Sequence, residues 1–150
     1  MRICFDLDGV ICELRREGQS YAELEPVAGA VAKLCALRRA GHTIIIHTGR
    51  HMKTCGGNAG LVLARQGLVT LQWLDRHGVP FDEIYFGKPW ADVYVDDNAL
   101  RFNSWDEIEA DGSNLPVQRE HALAAATAEA AGALPELSAG HVTAAEAALS

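Results

Sequence analysis

Ile3-Cys4-Phe5-Asp6-Leu7-Asp8-Gly9-Val10-Ile11 is the stretch that decides the fold of this chain. It is short and apolar nearly throughout, which predicts a buried strand over Arg2 to Leu7. Alternation along a strand puts Asp6 and Asp8 on the same side. Both acids fall at the carboxyl end of that strand, and Gly9 lets the backbone turn sharply there. Two carboxylates roughly 5 Å apart repel by about 3 kcal/mol at an effective dielectric of 20. An arrangement of that kind beside a core strand needs compensation, and a bound cation is the usual one.

The rest of the chain repeats the theme. Pro26 suits the first turn of a helix, Val27, Val31, Leu34 and Leu37 recur at helical spacing, and Gly41 suits its C-terminal cap. Thr43 to His47 is a β-branched run that predicts a second buried strand, followed at once by Thr48-Gly49-Arg50. Leu61 to His77 predicts a helix with Leu63, Gly67, Leu71 and Leu74 on one face, stopped by Gly78 and Pro80. Glu83 to Phe86 predicts a third strand ending at Gly87-Lys88-Pro89, and Ala91 to Val95 a fourth ending at Asp96-Asp97. Strands alternating with helical segments indicate βαβ units and a parallel sheet. Cys12 to Glu25 is polar and reads as a loop or short flap.

Asp6/Asp8, Thr48, Lys88 and Asp96/Asp97 therefore each lie at the carboxyl end of a predicted parallel strand. In open α/β sheets that is the edge where ligands bind. Four acids around one point suit a hard cation with oxygen ligands, Mg²⁺ above all, with water and substrate phosphate in the remaining positions. Thr48 and nearby backbone N–H groups can donate to phosphate oxygens, and Lys88 adds a compact positive charge. One carboxylate can serve as nucleophile and another as proton carrier.

With the motifs in this order, the chain resembles the haloacid dehalogenase (HAD) superfamily of phosphohydrolases. Asp6-Leu7-Asp8-Gly9-Val10 is similar to its first motif, His47-Thr48-Gly49-Arg50 to its second, Gly87-Lys88-Pro89 to its third and Tyr94-Val95-Asp96-Asp97 to its fourth. The match covers about residues 1–108. Within the superfamily, Glu83 to Ala91 together with Tyr94 to Asp97 resembles the small capsule biosynthesis phosphatases.

The resemblance implies a Rossmann-like, doubly wound, mainly parallel sheet. Asp6 would attack phosphorus to form an aspartyl-phosphate. Asp8 would protonate the leaving alkoxide and then deprotonate the attacking water. Mg²⁺ would be held by Asp6, the Asp8 carbonyl and Asp96, with Asp97 bound directly or one layer out. Thr48 and Lys88 would hold the transferring phosphoryl group, with Gly9, Gly49, Arg50 and Asn58 as further candidates for phosphate or substrate contact. Asp8, off the metal and beside like charge, is expected to be the easier of the two acids to protonate. The gaps between motifs hold a flap and single helices and no cap domain, so the site should be open. Discrimination among substrates would then fall to the flap at Cys12–Glu25, the loop at His51–Gly60, or another subunit.

The implied activity is Mg²⁺-dependent hydrolysis of a small phosphorylated metabolite, a sugar or polyol phosphate serving surface-polysaccharide synthesis. Two alternatives stay open: a phosphotransferase or mutase, and a non-catalytic HAD-like module that binds a phosphorylated ligand.

Bulk properties agree with a globular domain. The chain has 150 residues, 49% hydrophobic and 22% charged, which is enough for one domain with a real core. Its net charge of −7 argues against nucleic acid or an anionic membrane as the main partner. No run approaches the ~18 apolar residues of a membrane span. No signal peptide is expected ahead of the first strand, and Cys4, Cys12, Cys35 and Cys55 form no metal-finger spacing, so a reduced cytoplasmic setting is expected. Cys4 and Cys35 read as small core residues, and Trp73 as helix packing. Arg50 reads equally as a donor to substrate oxygens or as the partner of a surface acid. Lys53 and Thr54 are weaker candidates for substrate contact, and Trp90 either walls the site or packs beneath it. The domain is placed at 1–115. Residues 116–150 are an alanine-rich extension, expected as peripheral helix or partly ordered tail, with a role in a homo-oligomer open to test.

Overall fold

The computed structural model describes residues 1–132. Met1–Pro116 form one compact unit, and Val117 begins a second. In the first unit, β1 (Arg2–Phe5), β2 (Thr43–Thr48) and β3 (Glu83–Phe86) make a parallel sheet in the order β1-β2-β3. Helix α1 (Ala30–Arg39) links β1 to β2, and α2 (Ala59–Arg76) links β2 to β3. This is an α/β fold of two successive βαβ units, consistent with a Rossmann-like arrangement.

Local chemistry sets these boundaries. Asn58 caps α2 by accepting the Leu61 N–H through Oδ1 at 3.0 Å. Arg38 and Arg39 occupy the last turn of α1, where positive charge favours the helix dipole. The register sets Ile3 beside Ile44, and Phe5, Ile46 and Ile84 in one row. Those side chains share a core with Leu34 and Leu37 of α1 and Trp73 and Leu74 of α2. Beyond β3 the chain returns to this core. Trp105 is buried, its ring 5.4 Å from that of Phe5, and its indole N–H donates to the Val10 carbonyl at 2.7 Å.

Three expectations are corrected. Cys4 lies at the surface. Both helices feed the core on the other face of the sheet, and the face carrying Cys4 also carries the exposed Arg2–Glu83 ion pair and Tyr85. No helix of this unit packs on that face. On α2 the buried stripe is Val62, Gly67, Thr70, Trp73 and Leu74, whereas Leu63 and Leu71 are exposed. Trp73 decides the rotation: its large side chain goes inside, and its N–H donates to the Leu24 carbonyl at 2.6 Å.

The largest departure is the fourth strand. Ala91–Val95 is irregular loop that pairs with no strand among the described residues, and Val95 is 99% exposed. Val93, Tyr94 and Val95 favour strand, but that preference needs a ladder partner and a covered face to act on.

The second unit begins with α3 (Arg119–Gly132), whose side chains from Arg119 to Glu129 are all exposed. The remainder of the expected alanine-rich extension lies outside the described residues. No helix among the described residues is long and apolar enough to cross a membrane.

Candidate active site

The three strands deliver Asp6/Asp8, Gly49/Arg50 and Lys88 to one cleft of about 470 Å³ at the carboxyl edge of the sheet. Backbone hydrogen bonds explain the convergence. The Thr48 carbonyl accepts the N–H groups of Gly87 and Lys88 at 3.2 and 3.1 Å, fastening the end of β3 to that of β2. Gly49 permits the close approach, since a Cβ there would lie 3.1 Å from the Lys88 carbonyl oxygen.

Lys88 Nζ then donates to Asp6 Oδ2 at 2.8 Å, and the Leu7 N–H donates to Asp6 Oδ1 at the same distance. Lys88 also sits 4.6 Å above the Tyr94 ring, whose hydroxyl donates to the Pro89 carbonyl. Asp8 has a different partner. Arg50 Nε donates to both its oxygens at 3.0 Å, and the Arg50 side chain is fully buried. The electrostatic problem posed by two neighbouring acids is thus answered by two bases, one for each carboxylate.

Arg50 is gripped on every side. It donates to Thr70 Oγ1 at 3.3 Å and Cys12 Sγ at 3.1 Å, and its guanidinium lies 4.5 Å from the centre of the Tyr21 ring. Its partner is therefore a site acid rather than the surface acid considered from sequence. Burial raises the Asp8 carboxyl above its ordinary range; Arg50 and the Cys12 thiol hold part of that rise back, and the like charge of Asp6 adds a smaller push. Burial and the neighbouring Asp8 push the Cys12 thiol up to about 12, against Arg50, so it stays a weak donor to Asp8. Burial and Lys88 hold the His47 imidazole below its ordinary value, against Asp6.

Several sequence candidates sit differently from expectation. Thr48 is fully buried, does not line the cleft, and uses Oγ1 to accept the Arg50 N–H at 3.2 Å. The Gly9 N–H is spent on the Cys12 carbonyl in a turn with φ +84°. Asn58 is occupied as the helix cap and does not line the cleft. Trp90 and Lys53 do line it, with Lys53 Nζ 4.4 Å from the Trp90 ring centre. Arg15 and Tyr21, from the flap, were not singled out in the sequence. Their only signal was a basic and an aromatic residue inside an otherwise polar loop.

Asp96 and Asp97 are exposed and outside the cleft lining, and Asp96 accepts the Asn98 N–H at 2.7 Å in a local turn. Among the described residues no three His, Cys, Asp or Glu groups come close enough to share a metal ion. The Mg²⁺ set implied by the resemblance, Asp6, the Asp8 carbonyl, Asp96 and Asp97, is not assembled in this arrangement, because Asp96 and Asp97 lie outside the cleft lining. Without a cation, a further carboxylate brought beside Asp6 would repel it by about 3 kcal/mol at 5 Å and an effective dielectric of 20.

Fold and site together define an α/β protein with a charged ligand cleft at its strand ends. The chain is 34% identical to an MCSG target from Vibrio cholerae known from its crystal structure, with a TM-score of 0.62, over 67% of this chain and 82% of that one. It belongs to the same family as that protein. No protein-family model and no curated protein matches the chain.

Proposed function

We propose that the chain is a HAD-type phosphatase that hydrolyses a small phosphorylated metabolite through an aspartyl-phosphate. The observation that carries this reading is the Asp6–Lys88 contact of 2.8 Å at a parallel-sheet edge, beside the Asp8–Arg50 pair. A carboxylate nucleophile must approach a phosphoryl dianion, and Lys88 offsets the negative charge that gathers on the transferring group. An Asp6 oxygen bonds to phosphorus as the ester P–O bond breaks, and Asp8 gives its proton to the leaving alkoxide. Asp8 then takes a proton from water as the water oxygen bonds to phosphorus and the P–O bond to Asp6 breaks. The raised Asp8 carboxyl suits a group that must both give and take a proton.

The cytoplasmic setting is supported by four cysteines that form no metal-finger spacing. The sugar or polyol phosphate and the link to surface polysaccharide are supported by the resemblance alone. So is the complete doubly wound sheet. It would require Ala91–Val95 to join the free edge of β1, the one edge that would set Asp96 beside Asp6. Mg²⁺ is carried by the same resemblance.

Phosphate release from an aryl phosphate, with Mg²⁺ and with chelator, tests the reading. Asp6→Asn is expected to abolish release, and near-normal turnover in that variant would reject the role of Asp6. Asp8→Asn is expected to form phosphoenzyme from an activated aryl phosphate but hydrolyse it slowly. Failure to trap any phosphoenzyme would reject the role of Asp8.

A further inference from the structure

Beyond Lys53, Pro89 and Trp90, which line both spaces, the cleft gives way to a second cavity of about 540 Å³ walled also by Met52, Gly56 and Gly57. Asp6, Asp8 and Lys88 line the first space and not the second. A phosphoryl group at Asp6 therefore leaves the second cavity for the remainder of the substrate.

The charge of the cleft is unbalanced. Asp6 and Asp8 are matched by Lys88 and Arg50. Arg15 and Lys53 also line the cleft, and neither has a carboxylate within ion-pair distance among the described residues. Both are held by uncharged groups. Arg15 donates to the Gln19 carbonyl at 3.0 Å and lies 5.2 Å from the Tyr21 ring centre, while Lys53 rests on Trp90. On a chain of net charge −7, a cleft with two unmatched cations is a local reversal of sign. The phosphoryl group already meets Lys88. Lys53 stands at the junction of the two spaces, placed to meet negative charge further along the substrate.

We propose that the second cavity is a leaving-group subsite, and that Lys53, at the junction of the two spaces, receives a second acidic group there. The preferred substrates are then phosphomonoesters of sugar acids rather than of neutral polyols. This inference rests on the phosphatase reading for the position of the phosphoryl group.

A matched pair tests it: 6-phosphogluconate and sorbitol 6-phosphate differ only in carboxylate against hydroxymethyl at one end. Binding is measured by calorimetry on the full chain carrying Asp6→Asn, in Mg²⁺ buffer. Fluorescence reports the location, because Trp90 is 58% exposed whereas Trp73 and Trp105 are buried. The acid is expected to bind roughly two- to fivefold tighter at physiological ionic strength. Adding Lys53→Gln should erase the difference by weakening the acid alone, and Lys53→Arg should keep it. Equal affinities, a preference that survives Lys53→Gln, or no binding of either compound would overturn the subsite. Phosphate release by the unaltered chain is scored separately. Release without preference rejects only the subsite, and preference without release rejects only the hydrolase.

Discussion

Arg50 Nε stands 3.0 Å from each carboxylate oxygen of Asp8, and the guanidinium making this contact is wholly withdrawn from solvent. A guanidinium does not lose its proton in a protein, so burial is tolerated only with partners on all sides. Thr70, Cys12 and the Tyr21 ring supply the others. The same grip fixes Asp8 at the cleft wall. Arg50 thus joins β2, α2 and the flap to the site acid.

Removing Arg50 should cost more than removing the pair. Arg50→Met leaves a largely buried carboxylate without its base, and the expected loss is about 3–5 kcal/mol of unfolding free energy. Adding Asp8→Asn to Arg50→Met should restore part of that loss, because the uncompensated charge goes with it. Urea titration of the two single variants and the double variant measures the coupling. Strictly additive losses would show that the pair is not coupled. Arg50→Lys keeps the charge but cannot reach Asp8, Thr70 and Cys12 at once. It is expected to lower kcat/KM on an aryl phosphate by about tenfold or more through displacement of Asp8.

Gly87 makes a different kind of demand. Its φ is +105°, and a Cβ there would lie 2.8 Å from the Ala59 Cβ at the start of α2. Gly87→Ala therefore combines backbone strain with a clash against a rigid helix. A loss of about 2 kcal/mol or more is expected. Lys88 is the next residue, and its N–H shares the Thr48 carbonyl with Gly87. The strain should reach Lys88 and lower phosphate release at temperatures where the variant is still folded. Normal stability by urea titration would show that β3 and α2 can part at no cost.

What the sequence disclosed, and what it hid, divides along locality. Asp6 and Lys88 were legible because each follows an apolar run at the point where glycine and proline chemistry ends a strand. The Asp8–Arg50 pair was not, because its partners are 42 residues apart and meet only when β1 and β2 pair. The position of Thr48 after an apolar run suggests a phosphate donor. The alternation that buries Ile44 and Ile46 also turns Thr48 inward, to serve Arg50. On α2, spacing alone favoured the leucines, and the size of Trp73 reoriented the stripe.

Asp82 ties three elements at the entrance to β3. One oxygen accepts the Ile44 N–H at 2.8 Å, and the other accepts Arg38 Nε and Nη2 at 3.1 and 2.7 Å. The backbone hydrogen bond from Ile44, and then Arg38, hold its carboxyl below the ordinary range. An acid whose folded value is depressed stabilises the fold above its unfolded value of 3.8 and loses that contribution as pH falls through the folded value. Glu83, lowered by Arg2 and Tyr85, acts in the same direction. Asp82→Asn should therefore be less stable than the parent at pH 7, with the gap narrowing near pH 3. Urea titrations at both pH values check this, and a gap independent of pH would mean that the contacts do not favour the ionised form.

Asp96 and Asp97 set the resemblance and the observed arrangement against each other. Tyr94, from the same segment, already reaches the cleft beneath Lys88, while Val95 faces solvent and Asp96 closes a local turn. The outer edge of β1 carries no partner strand among the described residues. If Mg²⁺ is a cofactor, its charge must be what offsets the repulsion of bringing these acids to Asp6, and the segment should then pair with β1. Mg²⁺ is accordingly expected to slow amide hydrogen exchange at Val93, Tyr94 and Val95 and to raise phosphate release together. Asp96→Asn should lose both effects. Mg²⁺-dependent release with exchange unchanged across the segment would reject the fourth strand and leave the hydrolase standing. The cation would then be held at the cleft by Asp6 and the Asp8 carbonyl alone, and Asp6 would have to give up Lys88 to bind it.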